Sequence, residues 1–397
     1  MTRHLSLFLL LFCLACGGNS DDSATDNGTT DDGTTDGTVV ETELTVVSWN
    51  VGLAHGYVPL GAARQPHVIA ALDTIDADVI CLQELWTEDD REAARAALEA
   101  RGYNTHIHVP EIESEFKSAC QEDLLLALKA CLLEQCPETI GTDGMTTCAV
   151  DKCPTRVAPL GSDCIGCLTK DLTEHLDDII TRCIAETEVV PYSYSGHNGL
   201  LLATKTEMTA IAGVDLTASL TFRSYIQATI NTSGLGDITL ACTHLSADLS
   251  VPYMGEFSGF PEEQSYQITD MLGALPADTP VILMGDMNTG PDIEDIQIAA
   301  ELADNYQQFV DALWNSHLLS QCTWCPEENT LIGPGGNDHI IDHVMTHGVD
   351  SSKVVSTRIL AQKVTITNAD NEEEESNLSD HFGVQVKMTL TATKASE

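Results

Sequence analysis

Positive charge is what this sequence has least of: 18 lysines and arginines in 397 residues against 61 acidic residues, a formal net charge of −43. A protein that grips a polyanion by neutralising its phosphates shows a basic patch, and no segment here forms one. Bound metal ions can still supply positive charge locally, so the acidity disfavours nucleic acid without removing it. A membrane-spanning run is also missing, because the apolar stretch Leu5 to Leu14 is too short to cross a bilayer. What the chain does contain is a series of short polar motifs, each closing an apolar run. They are SWN ending at Asn50, LQE ending at Glu84, CTHL around His244, GDMN from Asp286 to Asn288, IDH at Asp342, and LSDH ending at Asp380 and His381.

Residues 1–16 read as an export signal, with Arg3 and His4 ahead of the apolar run and Leu14, Ala15, Cys16 and Gly17 behind it. The end of this segment resembles the lipobox of bacterial lipoproteins. That resemblance implies a lipid anchor at Cys16 and a cell-surface or periplasmic location, with the outer membrane favoured. Cys13 stands where leucine is more usual, so an ordinary cleaved signal and a released protein is the alternative. Residues 17–42 are rich in Gly, Thr and Asp and have too little apolar surface to offset their ordering entropy. As a tether their ends would average about 25 Å apart.

Of the 14 cysteines, eight lie between Cys120 and Cys183. An even number in an exported chain argues for disulfides, here up to four, with the pairing open. Zinc is the alternative suggested by the short spacing of Cys164 and Cys167, but no second histidine or CxxC pair completes a site in that stretch. Cys81 and Cys242, within apolar strands, read as small buried hydrophobes.

From residue 43 the pattern is α/β. ELTVVSWN, ADVICLQE and YNTHIHV are strand candidates, and HVIAALDTI and TEDDREAARAALEARG are helix candidates. Residues 111–190 break the pattern as a cysteine-rich helical insertion without strand alternation. Strands resume at NGLLLATK, FRSYIQATINT, GDITLACTHL and TPVILMGDMN, and again at HIIDHVMTHG, KVVSTRILAQK and HFGVQVKMTLTA. PEEQSYQITDMLGAL and IEDIQIAAELADNY read as helices. The residues imply two packed sheets flanked by helices, formed by 43–110 and 191–393, with one inserted subdomain.

Polar groups that end apolar strands sit at a sheet rim, where loops converge on a cleft. Asn50 and Glu84 offer the oxygen ligation that Mg²⁺ favours. Asp286 and Asn288 leave their strand on one side and suit orienting water and binding a phosphoryl oxygen. His381 can take a proton from water near pH 7 if a carboxylate fixes its tautomer, and Asp342 is the candidate. His244 suits charge stabilisation or protonation of a leaving oxygen, and Arg223 a phosphate contact.

This ordered set resembles the endonuclease/exonuclease/phosphatase superfamily from Leu44 to Leu390, apart from the insertion. The resemblance implies a four-layered α/β (α+β) sandwich and in-line attack of water on a phosphate ester. It also implies a divalent cation, usually Mg²⁺, with Mn²⁺ or Ca²⁺ as substitutes. By resemblance Asn50, Glu84 and Asp380 belong to the metal site, His381 is the general base with Asp342 as partner, and Asp286, Asn288 and His244 are catalytic. ICLQELWTEDD, THLSAD and LSDH look most like neutral sphingomyelinases, although no exposed aromatic membrane hairpin is identifiable. Deoxyribonuclease I is similar at His244, yet no acid stands near His197, Asn198 and Gly199 to pair with it.

These readings lead to an expected exported, monomeric, Mg²⁺-dependent phosphodiesterase acting on a phospholipid head-group ester rather than nucleic acid. An extracellular nuclease and a non-catalytic binding module on the same fold are the alternatives. The insertion is expected to be either a stabilising decoration or a lid that selects substrate.

Overall fold

The computed structural model describes residues 39–142, 144–368 and 371–393. The export signal, Cys16 and most of the tether lie outside them; residues 39–42, read as tether, already belong to the first strand, Val39–Asn50.

Two six-stranded sheets pack face to face. The first runs Asp350–Ile359, Gly383–Thr393, Val39–Asn50, Val79–Gln83, Leu201–Thr204 and Asn104–His106. The second runs Asn315–Ser316, Asp342–His347, Val281–Asp286, Gly236–His244, Arg223–Thr232 and Met208–Leu216. Each sheet has a parallel pair near its middle, Val39–Asn50 beside Val79–Gln83 in one and Val281–Asp286 beside Gly236–His244 in the other. The remaining pairings are antiparallel. The sheets are therefore mixed, and helices cover their outer faces, which makes four layers.

Period-two alternation sorts the strand residues. Leu44 and Val46 share the inner core with Leu240, Cys242, Ile282 and Met284 of the opposite sheet. Val47, Trp49, Ile80 and Leu82 face outward and are covered by helices Gly61–Ala71 and Glu88–Ala100. Leu283 and Met345 are covered likewise by Phe260–Ala274 and Ala303–Asp311. Continued alternation carries Asn50, His244, Asp286 and Asp342 onto the inner face, at the open end of the core.

Cys81 and Cys242 are fully buried, as read, but they are bonded to each other and cross-link the two sheets. They are therefore not free hydrophobes: the inner faces of two strands distant in sequence set the sulfurs opposite each other.

Three helical and strand expectations also change. IEDIQIAAELADNY forms a short 3-10 turn, Glu294–Ile296, and then the helix Ala303–Asp311. Left-handed backbone at Gln297 and Leu302 and bridges Ile293–Ile298 and Gly290–Glu301 make the interval a hairpin-like loop. YNTHIHV is strand only at Asn104–His106. The insertion is helical, from Glu122–Gln135 to Leu176–Ile184, but a strand pair, Glu115–Ser118 with Glu186–Val189, closes its base. Its eight cysteines form four disulfides, Cys120–Cys164, Cys131–Cys153, Cys136–Cys148 and Cys167–Cys183. Cys164 and Cys167 thus belong to different bridges and are not zinc ligands. A further bridge, Cys322–Cys325, lies beside the site. Among the described residues no helix is long and apolar enough to cross a membrane, and this disulfide content points to an oxidising, extracellular or periplasmic compartment.

Candidate active site

Strand register sets the first three groups in one row. Asp286 is paired with His244 on one side and with Asp342 on the other. The parallel partner strands of the first sheet end opposite them, Asn50 level with Gln83 and Glu84 one residue beyond. Asn50 spans the gap between the sheets, donating from Nδ2 to Asp286 Oδ2 at 2.9 Å.

His381 takes its orientation from Asp342, with Nδ1 to Oδ2 at 2.9 Å, and both are buried. Its Nε2 is directed to the cleft, 3.7 Å from Asp286 Oδ2. Burial alone would lower the imidazole's pKa, but the charges of Asp342 and Asp286, the Asp342 hydrogen bond and Asp380 together raise it well above 6.5. His381 is therefore held protonated by the carboxylates, so base action near pH 7 requires that their field be offset. His244, with Nε2 3.4 Å from Asp286, is pushed the other way: burial, then Arg223 and His381, hold it well below 6.5. A neutral His244 can donate a hydrogen bond; it is not poised as a cationic acid.

Asp286 has its Oδ1 fixed by the Asn288 backbone N–H at 2.9 Å, and burial with the neighbouring Asp342 raises it to about 6. Asn288 is left-handed, φ 48°, and its own Nδ2 donates to Leu245 O at 3.0 Å while the residue lines the cleft. Glu84 is also left-handed, φ 62°. Non-glycine residues are rarely held this way, and such strain gathers at functional sites. Burial, then the charge of Asp380, raises Glu84 to about 7, and its Oε2 is buried without a hydrogen-bond partner.

That orphaned oxygen is the test of whether the residues suit a divalent cation. A buried carboxylate beside a second carboxylate and a carboxamide is costly unless a positive charge pairs with it, and the donor set is the hard oxygen type. Asp286, Asp342 and His381 also offer ligand atoms within 4.8 Å of one another. Of these, Asp342 and His381 are already committed to each other, so the Glu84, Asp380 and Asn50 side fits the cation better.

Arg223 lies in the same cleft, 5% exposed, with Nε and Nη1 unpartnered and its guanidinium 5.6 Å from the Trp86 ring. The nine residues singled out from sequence thus converge on one cleft.

Several supporting residues were not singled out. Gly52, φ 58°, leaves room for the acid opposite: a Cβ there would meet Asp380 Oδ1 at 2.4 Å and Ser379 Oγ at 2.7 Å. Ser379 donates to Asn50 O at 2.7 Å and receives the His381 N–H at 3.1 Å. Arg64, fully buried, holds both ends of this arrangement by donating to Gly52 O at 2.5 Å and Leu378 O at 2.7 Å. Trp324, inside the Cys322–Cys325 loop, packs edge-on to His381 at 5.1 Å, and Thr323 Oγ1 receives the Ile341 and Asp342 N–H groups. Glycine after a strand-end Asn and a Trp inside CxxC are sequence signals for two of these; Ser379 lies within the LSDH motif without an assigned role, and Arg64 gave no signal.

Several solved structures are similar to this chain. One is an endonuclease/exonuclease/phosphatase from Beutenbergia cavernae, 16% identical, TM-score 0.48, covering 89% of this chain and 73% of that one. Sphingomyelinase C from Streptomyces griseocarneus is 15% identical, TM-score 0.50, covering 87% and 99%. SmcL is 13% identical, TM-score 0.51, covering 87% and 98%. No curated protein sequence matches the chain. The profile of the Endonuclease/Exonuclease/phosphatase family, however, matches residues 47–381, a span that runs from the strand carrying Asn50 through His381. The chain belongs to that family, whose members are metal-dependent hydrolases of phosphate esters.

Proposed function

We propose that the chain is an exported, monomeric, Mg²⁺-dependent phosphodiesterase, anchored through Cys16, that hydrolyses a phospholipid head-group ester as sphingomyelinase C does. The observation that carries the hydrolytic reading is the convergence on one cleft of a His381–Asp342 pair, an unpartnered Arg223 guanidinium and an unpartnered Glu84 oxygen.

Arg223 Nη1 and Nε bind a phosphoryl oxygen, drawing strength from burial. Asn288 and neutral His244 flank it as hydrogen-bond donors. Glu84, Asp380 and Asn50 would hold a divalent cation, which would supply positive charge to polarise the phosphoryl group and offset the carboxylate field. His381 would then take a proton from the attacking water at Nε2, with Asp342 holding the Nδ1–H tautomer, as the P–O bond to the leaving oxygen breaks. Asp286, pinned by Asn50 and Asn288, orients that water.

The net charge of −43 and the want of a basic patch favour a lipid ester over nucleic acid. The test compares phosphocholine release from sphingomyelin liposomes with nicking of plasmid DNA, each with Mg²⁺ and with chelator. Chelator-sensitive lipid cleavage alone supports the proposal; DNA nicking alone replaces it with a nuclease.

A further inference from the structure

Where the insertion meets the catalytic body there is a second hollow with about 100 Å³ of room for the centre of a water-sized sphere. The insertion supplies one wall: Leu128 and Leu132 from Glu122–Gln135, Ala149, and Leu176 and Ile180 from Leu176–Ile184. The body supplies the other through Val251, Pro252 and Met254, in the loop that follows the His244 motif.

Its polar lining groups are already satisfied. Thr146 Oγ1 donates to Gly56 O at 3.2 Å and Thr169 Oγ1 to Ile165 O at 2.7 Å. The Tyr57 hydroxyl lies beside Ser193 and Thr169, whose hydroxyls bond each other at 2.8 Å. Water entering would find few partners, and a cavity of this kind takes apolar molecules.

Tyr57 and Leu220 line both this hollow and the catalytic cleft, so the two spaces adjoin. An aromatic wall joins them: the Tyr57 ring lies 6.1 Å from Tyr194, which stacks at 5.2 Å on Trp86, itself 5.9 Å from His244. A chain attached to a phosphate at Arg223 would pass Tyr57 and Leu220 to lie under the insertion.

We propose that this hollow binds the hydrocarbon chain of a phosphate ester, so that the disulfide-stapled insertion is a chain-selecting subsite. The proposal rests on the phosphodiesterase reading and names its substrate class: single molecules with a long alkyl or acyl chain near the phosphate.

Binding of butyl-, octyl- and dodecylphosphocholine, kept below micelle formation, to the full chain is measured by calorimetry. Turnover of chainless p-nitrophenylphosphocholine with Mg²⁺ is followed in parallel. Affinity should rise about a hundredfold from butyl to octyl, as four methylenes leave water. Ala149→Phe on the insertion wall and Met254→Phe on the body wall, each checked for an unchanged thermal transition, should remove most of that gain and leave chainless turnover unchanged. Affinity independent of chain length, or a dependence preserved in both folded variants, overturns the assignment. Chain-dependent binding lost in the variants, with no turnover of any phosphodiester by the wild type, would sink the enzymatic reading and leave the chain site standing.

Discussion

His381 and Gly52 illustrate two ways in which single residues set this site. His381 acts through its charge state, which Asp342 controls from 2.9 Å. Replacing His381 by Ala, or Asp342 by Asn, should lower kcat on a phosphodiester by about a hundredfold to ten-thousandfold, with the thermal transition retained. A smaller loss in both would remove the pair from the chemistry. Gly52 acts through space: with φ at 58° and Asp380 Oδ1 2.4 Å from where a Cβ would sit, Gly52→Ala must displace that carboxylate. The expected result is a higher Mg²⁺ requirement together with about 1 to 2 kcal/mol lost to left-handed strain. An unchanged Mg²⁺ titration would show that Asp380 is not held by this contact. At this scale the sequence was informative where a polar residue ended an apolar run, as at Asn50, Asp286 and Asp342. It was silent on Arg64 and Ser379, whose roles depend on backbone carbonyls brought close only by folding.

Elements position these residues by period-two alternation. The strand Val281–Asp286 places Ile282 and Met284 in the inner core and so delivers Asp286 to its open end. That pattern is readable in the amino-acid order, and the main strands follow it. The segment from Ile293 to Asn305 shows the limit: its apolar spacing suits a helix, but left-handed Gln297 and Leu302 interrupt it. The loop 322–325 is the element most open to test. Its disulfide closes a circuit with Trp324 against His381 and Thr323 bonded to Asp342 N–H. Cys322→Ser with Cys325→Ser should cost no more than about 2 kcal/mol of stability, because so short a loop restrains the unfolded chain little. It should nevertheless lower kcat about tenfold by loosening Trp324. Full activity in the variant would confine the bridge to a stabilising role.

For the molecule as a whole, one disulfide among the described residues joins the two sheets covalently: Cys81–Cys242, closing a separation of 161 residues. Chain-entropy arguments give it at most about 5 kcal/mol, and less here because the insertion's four bridges lie within the same loop. This pairing was not legible from sequence, since it depends on which faces of two distant strands oppose. Stability should also depend on pH through His343. Burial, only partly countered by its hydrogen bond to Thr289 O, lowers its pKa to about 4 from 6.5. Between those values the unfolded chain binds a proton that the folded chain does not, so stability falls as pH drops from 6.5 towards 4, by roughly 3 kcal/mol. Urea unfolding across that range should show the decline, and His343→Gln should flatten it. A slope unchanged in the variant would assign the acid sensitivity to the other histidines with lowered pKa, His197 and His244.

The central claim is that Glu84 and Asp380 hold a divalent cation with which the His381–Asp342 pair hydrolyses a phosphate ester. Its most direct test is a Mg²⁺ titration of bis(p-nitrophenyl) phosphate hydrolysis by the wild type, Glu84→Ala and His381→Ala. The account predicts activity abolished by chelator, a much higher Mg²⁺ requirement in Glu84→Ala, and loss of kcat without a shifted Mg²⁺ requirement in His381→Ala. Hydrolysis that survives chelator, or that is equal in all three proteins, would contradict it.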